Sequence, residues 1–149
     1  MELKMKALSP KIGAEIPVPY FATVGSAAMD LRACIDADVT IAAGQRAIIP
    51  TGIAIALPSA EYVALICARS GLASKFGITM ANGVGVIDSD YRGELKVALH
   101  NSSDTDYTIH DGDRIAQLMV LPVVQPALQM VEELDETARG EGGFGSTGR

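Results

Sequence analysis

The feature that most constrains the fold is a repeating alternation of short apolar stretches with turn residues. The stretches are rich in Val, Ile, Leu and Ala, and Gly, Asn, Asp and Pro separate them. This pattern is typical of short β-strands joined by turns. The stretches cover residues 3–8, 39–41, 47–50, 53–57, 62–67, 84–87, 95–101, 107–109 and 115–124. Only residues 71–77 have a pattern compatible with a short helix, so we predict an all-β, jelly-roll-like distorted barrel.

The size and charge of the chain limit its domain number and its partners. Its 149 residues, 48% of them apolar, suffice for one domain with one hydrophobic core. The net charge of −6 gives no general attraction for DNA, RNA or anionic lipid, so a bound polyanion requires a local positive cluster. No run approaches the roughly 18 apolar residues of a membrane span. We therefore expect a soluble, cytoplasmic protein with no nucleic-acid or membrane partner.

The two cysteines and two histidines do not form a recognisable metal or disulfide pattern. Cys34 and Cys67 have no second pair beside them, and no Cys-x-x-Cys accompanies His100 and His110. We expect reduced, buried thiols and two ordinary histidines at strand ends. A redox role for the cysteines is left open.

Two of the apolar stretches lack the polar alternation of a half-solvated strand. Residues 62–67 and 115–121 are apolar on both alternating faces, so both faces are expected to be covered. The cover is either a second sheet together with a neighbouring subunit, or the same monomer alone. Gln117 interrupts the second stretch and must find hydrogen-bond partners in the protein or in a ligand.

The composition changes abruptly after Leu134, where residues 135–149 become rich in glycine. One interpretation is a disordered terminus. The other is a phosphate-wrapping segment, because glycine amides and Arg, Ser and Thr side chains bind phosphate and Phe144 offers a stacking face. A dinucleotide-binding fingerprint is excluded, since no strand leads through these glycines into a helix.

Two internal segments place polar side chains where a scaffold does not require them. Asp30 lies in an otherwise apolar strand, where it either accepts hydrogen bonds from backbone amides or has a functional role. Arg69, Ser70 and Gly71 mark the passage from a strand to a helix start, whose free amides beside a hydroxyl and a guanidinium form an anion site. The alternative at this position is a serine cap with Arg69 in a surface ion pair.

The segment that begins at Asn82 holds the densest group of polar side chains. Asn82-Gly83 is a strong hairpin signal, and the backbone groups of such a loop can bind the edge of a base. Asp88 follows three apolar residues, so we expect its carboxylate in a partly dry pocket, where it can accept a proton from water. Asp90 and Arg92 are expected to pair with each other or with neighbouring turns.

In this order, and with the glycine-rich tail, these segments resemble the five motifs of the trimeric dUTPase family. The resemblance spans residues 27–148 and is strongest in residues 85–93, GVIDSDYRG, and residues 142–148, GGFGSTG. The family usually has glycine at the position of Ala28 and proline at that of Ala68. These differences concern the local backbone and not the reacting groups.

The resemblance implies a homotrimer of jelly-roll subunits with three shared active sites. A swapped, flexible C-terminal arm of one subunit would close a site on another. Residues 1–134 would form the β domain, including a strand-exchange segment, and residues 135–149 a flexible tail or lid. The implied reaction is hydrolysis of dUTP to dUMP and pyrophosphate, which limits uracil incorporation into DNA and supplies dUMP.

The resemblance also implies a role for each candidate residue. Asp88 would activate the water that attacks the α-phosphorus, and Tyr91 would pack under the deoxyribose where a 2′-hydroxyl would collide. Uracil would be bound by Asn82 and by the backbone of Gly83 and Val86. The phosphates would be bound by Arg69, Ser70, Gly71 and, from a neighbouring chain, Gln117. The γ-phosphate would be bound by Arg139, Gly145, Ser146 and Thr147, with Phe144 over the base.

Mg²⁺ is the implied cofactor, held by triphosphate oxygens and water, with Asp30 organising waters around it and no direct protein ligand.

Two alternative functions remain. The related dCTP deaminases, some of them bifunctional, carry a glutamate where this chain has Ala98, and they lack the full Phe-Gly-Ser-Thr-Gly tail. A noncatalytic nucleotide-sensing protein is the other alternative, against which Asp88 and the complete tail argue.

Overall fold

A computed structural model describes residues 2–143, which form eleven strands and one short helix. The strands are β1 (Lys4–Ala7), β2 (Met29–Arg32), β3 (Val39–Ile41), β4 (Arg46–Pro50), β5 (Ile53–Ala56), β6 (Tyr62–Cys67), β7 (Ile78–Met80), β8 (Gly85–Ile87), β9 (Lys96–Asn101), β10 (Tyr107–Ile109) and β11 (Arg114–Pro122), and the helix is α1 (Ser70–Phe76).

The strands pair into two larger sheets and two small ones. The larger sheets have the orders β2-β11-β6-β8 and β4-β9-β7, and the small ones pair β1 with β5 and β3 with β10. Both larger sheets contribute to one core, with Leu31, Ile66 and Leu118 from the first and Ile49 and Leu99 from the second. The all-β, jelly-roll-like prediction is confirmed, although the sheets of residues 2–143 stay separate and do not close into one barrel.

The turn at Asn82-Gly83 is present, but the predicted hairpin is wrong. Gly83 has a φ of 73° and donates its N–H to the carbonyl of Met80 at 3.2 Å. The flanking strands do not pair with each other, since β7 pairs with β9 and β8 pairs with β6. The turn therefore carries the chain from one sheet to the other. The short strand β7 itself was not anticipated.

One face of β6 and β11 is buried, and the other is only half covered. Ala64, Ile66 and Leu118 are buried in the core. On the opposite face Leu65 and Met119 are half-buried. One chain therefore covers one face of these strands, and the expected cover over the second face is incomplete within it.

The cysteines are free, and each is half-buried where full burial was expected. Cys67 ends β6, and Cys34 lies between β2 and β3. His100 lies near the end of β9, and His110 follows β10 with its Nδ1 2.9 Å from an oxygen of Asp38. Both histidines therefore occupy the strand-end positions that we expected.

The chain leaves the packed body after β11 ends at Pro122. The N–H of Val123 still donates to the carbonyl of Glu61 at 2.8 Å. Beyond it the large apolar residues are exposed, from Val131 at 53% to Leu128 at 95%. Residues 123–143 therefore form an exposed arm. Within the described part of the chain, no helix has the length and apolarity needed to cross a membrane.

Candidate functional site

Asp30 lies between two arginines, Arg114 from β11 and Arg69 from the segment between β6 and α1. Its Oδ1 accepts a hydrogen bond from Arg69 Nε at 2.9 Å, and its Oδ2 accepts one from Arg114 Nη1 at 3.2 Å. Arg69 also donates from Nη1 to the backbone carbonyl of Arg114 at 3.2 Å. Charge-assisted hydrogen bonds of this kind fix side-chain geometry. Asp30 therefore orients Arg69. The ion pair that was the alternative at Arg69 is present, but it is largely buried and does not lie on the open surface.

A third arginine makes this region positive in an otherwise acidic chain. Arg32 donates from Nη1 to the carbonyl of Gly112 at 2.7 Å. Arg32, Arg114, Asp30 and Gln117 line one depression of about 140 Å³. Arg69 and Arg114 contact Asp30, and Arg32 lines the same depression as Asp30 and Arg114. We call Arg32, Arg69 and Arg114 the arginine cluster. These three guanidinium groups meet the requirement for a local positive cluster that attracts polyanions.

Sequence reasoning had not selected Arg32 and Arg114 as site residues, although one signal could have found them. Arg32 follows Asp30 by two positions on β2, so both side chains lie on the same face of the sheet. Arg114 is the register partner of Arg32 on β11. The two arginines are thus placed beside Asp30 by strand periodicity and pairing.

Gln117 lies in the middle of the same row of the sheet. Its register partners are Asp30 on β2 and Cys67 on β6. It is half-buried, so its amide is open to a ligand on the face that carries Asp30. A hydrogen-bonding role towards a bound anion is therefore available to Gln117.

The start of α1 lies directly beside Arg69. Arg69 is the extended residue before the helix, and its side chain makes no capping hydrogen bond. Ser70 is the first helical residue and Gly71 the second, so the serine-cap alternative is wrong. Both are exposed, and the first-turn amides of a helix have no partner within it. A hydroxyl and backbone donors thus adjoin the arginine cluster.

The second group of candidate residues surrounds Asp88 and Tyr91. Both residues, with Val86, Glu94 and Lys96, line a depression of about 200 Å³. Asp88 is exposed, so the prediction of a partly dry pocket is wrong within one chain. The three preceding residues do not enclose it, because β8 ends at Ile87 and a turn follows at residues 89–90.

The other residues of this loop are held by backbone contacts. The hydroxyl of Tyr91 donates to the carbonyl of Glu94 at 3.1 Å, while the residue remains 44% exposed. Arg92 donates from Nη1 to the carbonyls of Ser89 at 2.7 Å and Tyr91 at 2.9 Å. Arg92 therefore pairs with the neighbouring turn, which is one of the two pairings expected for it. Asp90 is exposed.

The uracil-binding candidates lie on open surface near the start of β8. Asn82 and Gly83 are exposed in the turn before the strand. Val86 is 62% exposed, and its register partner is Leu65 of β6. These positions leave the backbone of the turn accessible to a ligand.

The two groups of candidate residues lie at opposite ends of β6 within one chain. Ile87, just before Asp88, pairs with Ala64, whereas Arg69 follows the far end of the strand. The extended chain from Ala64 to Arg69 spans about 16 Å at the usual strand rise. One chain therefore does not bring Asp88 together with Arg69 and Gln117.

The tail candidates are only partly described. Arg139 is exposed and donates from Nε to the carbonyl of Gly142 at 2.8 Å, which closes a local turn. Phe144, Gly145, Ser146 and Thr147 lie outside the described residues.

The described residues fit a magnesium ion coordinated mainly by a bound ligand better than one coordinated mainly by protein side chains. Among residues 2–143, no group of three or more His, Cys, Asp or Glu side chains could hold a metal ion. Asp30 is engaged by two guanidinium groups, which compete with direct coordination. Asp88 offers an exposed carboxylate, and Mg²⁺ commonly binds through one carboxylate, waters and substrate phosphates.

Comparison with known proteins places these motifs in one family. The dUTPase family model matches residues 14–148. The deoxyuridine 5′-triphosphate nucleotidohydrolase of Idiomarina loihiensis is 55% identical over 148 residues, which cover 99% of this chain and 98% of that protein. The protein of the same name from Psychrobacter is 52% identical over 150 residues, covering 99% and 97%.

Solved structures give the same result. The dUTPase of Staphylococcus bacteriophage 80alpha with dUPNHPP aligns at a TM-score of 0.86 and 29% identity, over 99% of both chains. A variant of the dUTPase from phage phi11 of S. aureus aligns at 0.78 and 25% identity, over 91% of this chain and 100% of that one. The structure of that variant is described as revealing the coordination of a structural Mg(II) ion. The chain belongs to the dUTPase family.

Proposed function

We propose that the protein hydrolyses dUTP to dUMP and pyrophosphate in the cytoplasm, as a magnesium-dependent homotrimer. The observation that carries this proposal is the intact Asp88–Tyr91 loop in a chain 55% identical to a named deoxyuridine 5′-triphosphate nucleotidohydrolase. No described residue of the arginine cluster or of the Asp88 depression conflicts with this activity.

Asp88 is the proposed general base. Its exposed carboxylate accepts a proton from a water molecule, whose oxygen forms a bond to the α-phosphorus. The bond between the α-phosphorus and the bridging oxygen to the β-phosphorus breaks, and pyrophosphate leaves. Tyr91 packs under the deoxyribose, and Asn82, Gly83 and the backbone of Val86 bind uracil.

The arginine cluster is the proposed phosphate site. Arg69, oriented by Asp30, and the amides of Ser70 and Gly71 are positioned to bind phosphate oxygens. Gln117 adds a side-chain amide on the same face. Bound Mg²⁺ supplies neutralisation of the phosphate charge and orientation of the triphosphate. Interactions that strengthen as negative charge moves to the leaving group stabilise the transition state.

A homotrimer with shared sites accounts for three features of the single chain. Asp88 and Arg69 lie apart, so a second chain must bring one motif to the other. The half-covered face with Leu65 and Met119 needs a partner surface. The apolar part of the exposed arm, residues 123–134, is suited to strand exchange with a neighbour. Residues 135–149 are the proposed lid, which carries Arg139, Phe144, Ser146 and Thr147.

Incubation of the purified protein with dUTP and with dCTP, each with Mg²⁺, tests the proposed function. We expect dUMP and pyrophosphate from dUTP and no deamination of dCTP. Deoxyuridine nucleotides formed from dCTP would support the deaminase alternative, and binding without turnover would support the sensing alternative. As a control, Asp88→Asn should retain dUTP binding and lose about two to four orders of magnitude in turnover, the range for a general base.

A further inference from the structure

The loop that carries Tyr91 ends in an anchor made by three hydrogen bonds to one short segment. The N–H of Gly52 donates to Glu94 Oε1 at 2.9 Å. The N–H of Leu95 donates to the carbonyl of Ile53 at 2.8 Å, and Thr51 Oγ1 donates to the carbonyl of Leu95 at 2.6 Å. Glu94 and Leu95 are therefore fixed on residues 51–53.

The segment that receives this anchor is itself rigid. Gly52 has a φ of 70°, and a Cβ at this position would lie 2.8 Å from Cys34 Sγ. Only glycine adopts this conformation in this space without strain. The carbonyl of Gly52 accepts the N–H of Leu8 at 2.8 Å, and Thr51 is 2% exposed. The amide that binds the Glu94 carboxylate thus has a fixed position and direction.

The anchor reaches Tyr91 through the backbone of Glu94. The Tyr91 hydroxyl donates to the Glu94 carbonyl at 3.1 Å. Glu94 therefore bonds to Gly52 through its carboxylate and to Tyr91 through its carbonyl. Tyr91 is 44% exposed, so packing alone holds its ring weakly. The Glu94 side chain is only 25% exposed, which favours a lasting hydrogen bond to Gly52.

We propose that Glu94 is a positioning residue that fixes the Tyr91 ring and thereby sets the discrimination between deoxyribose and ribose. The proposal rests on the proposed function, in which the ring packs where a 2′-hydroxyl would lie. A ring that shifts away from this position leaves room for the hydroxyl. UTP is then rejected less strongly, while the Asp88 carboxylate still acts as the base.

The test compares Glu94→Ala with Glu94→Gln, because glutamine keeps an oxygen acceptor for the Gly52 amide and alanine does not. The measured quantity is the ratio of kcat/KM for dUTP to kcat/KM for UTP. We expect Glu94→Ala to lower this ratio about tenfold, the scale of one lost hydrogen bond. Glu94→Gln should restore most of the ratio. Glu61→Ala, which removes an exposed carboxylate elsewhere, is the matched control and should leave the ratio unchanged.

A double-mutant cycle with Tyr91→Phe tests whether Glu94 acts through the tyrosine hydroxyl. If it does, Glu94→Ala should cost little more in a Tyr91→Phe background than Tyr91→Phe costs alone. Fully additive losses would overturn the proposal. A dUTP-to-UTP ratio that is unchanged in a correctly assembled Glu94→Ala protein would also overturn it.

A readout without turnover separates this proposal from the proposed function. The chain has four tyrosines, so the ring signal of Tyr91 in ¹³C-tyrosine NMR spectra can be assigned from its loss in Tyr91→Phe. Glu94→Ala should move this signal, and Glu94→Gln should not. A wild-type protein that fails to hydrolyse dUTP would defeat the proposed function, and an unmoved Tyr91 signal in Glu94→Ala would defeat the positioning role by itself.

Discussion

Asp30 and Arg69 form an ion pair across a whole strand, since β11 lies between the strand that carries Asp30 and the strand that precedes Arg69. The distance between Oδ1 and Nε is 2.9 Å, and both side chains are about three-quarters buried. Arg114, from the intervening strand, donates to the other carboxylate oxygen. Asp30 is thus a structural support for two arginines of the proposed phosphate site.

Substitution of Asp30 by asparagine should weaken both stability and substrate binding. The change leaves Arg69 and Arg114 close together without the carboxylate, so we expect a loss of about 1–3 kcal/mol in the free energy of unfolding. The KM for dUTP should rise, because asparagine has one acceptor oxygen and cannot hold both Arg69 and Arg114, which bond to different oxygens of Asp30. Thermal unfolding and steady-state kinetics measure the two effects. Asp104→Asn, at an exposed carboxylate, is the control, and equal behaviour of the two variants would contradict the role of Asp30.

Mixed oligomers test whether Asp88 and Arg69 of different chains share a site. Asp88→Asn and Arg69→Ala should each be nearly inactive alone. After the two proteins are unfolded and refolded together, random assembly gives sites with both native residues in about one quarter of cases, if two chains supply them. Activity should recover to a similar fraction of wild type. No recovery in mixtures whose assembly is verified by mass would indicate sites within single chains.

Much of the fold could be predicted from sequence because strand patterns are local. The bounds of β3, β6 and β10 agree with the apolar stretches, since turn residues flank each one. The turn at Asn82-Gly83 was also correct as a turn. Its flanking strands belong to different sheets, and strand pairing depends on distant residues that a local hairpin signal does not report.

The site was less predictable, because its geometry depends on pairing and on assembly. Asp30 and Arg69 are 39 positions apart, and only the register of β2, β11 and β6 brings them together. The environment of Asp88 failed as a prediction for a related reason. Apolar neighbours in sequence do not enclose a side chain at a strand end. A local sequence pattern also does not report which side chains another chain covers.

The stability contribution of Lys11 should depend on alkaline pH. Its Nζ contacts the carbonyl of Ile35 at 2.7 Å, Asp36 at 3.0 Å and Asp111 at 3.2 Å. The hydrogen bond to Asp36 chiefly raises the pKa of Lys11 above its usual 10.5; partial burial opposes this, and Asp111 adds to it. Because the folded pKa is the higher one, the contribution is complete below the ordinary pKa and is lost as pH rises through the folded value.

Denaturant unfolding at fixed protein concentration measures this effect between about pH 9 and pH 12. The difference in stability between wild type and Lys11→Met should shrink as pH rises across this window. Lys75→Met, in the last turn of α1, is the control for loss of a surface lysine. A difference that stays constant over the whole window would refute the assignment.

Two truncations should separate the roles of the arm and the tail. Deletion of residues 139–149 removes Arg139 and the glycine-rich end but keeps the apolar residues Leu128, Met130 and Leu134. If the tail is a lid, this protein should form a trimer of normal stability and lose turnover, because γ-phosphate contacts and the shield against water disappear together. Deletion of residues 123–149 should also weaken assembly, since strand exchange is lost.

Light scattering measures assembly, and dUTP hydrolysis measures turnover. Arg139→Ala alone should lower the rate of hydrolysis about 10²–10³-fold, the scale of a preorganised charge-stabilising donor. A protein without residues 139–149 that hydrolyses dUTP at the full-length rate would eliminate the lid, and one without residues 123–149 that still forms a stable trimer would eliminate strand exchange as the source of assembly.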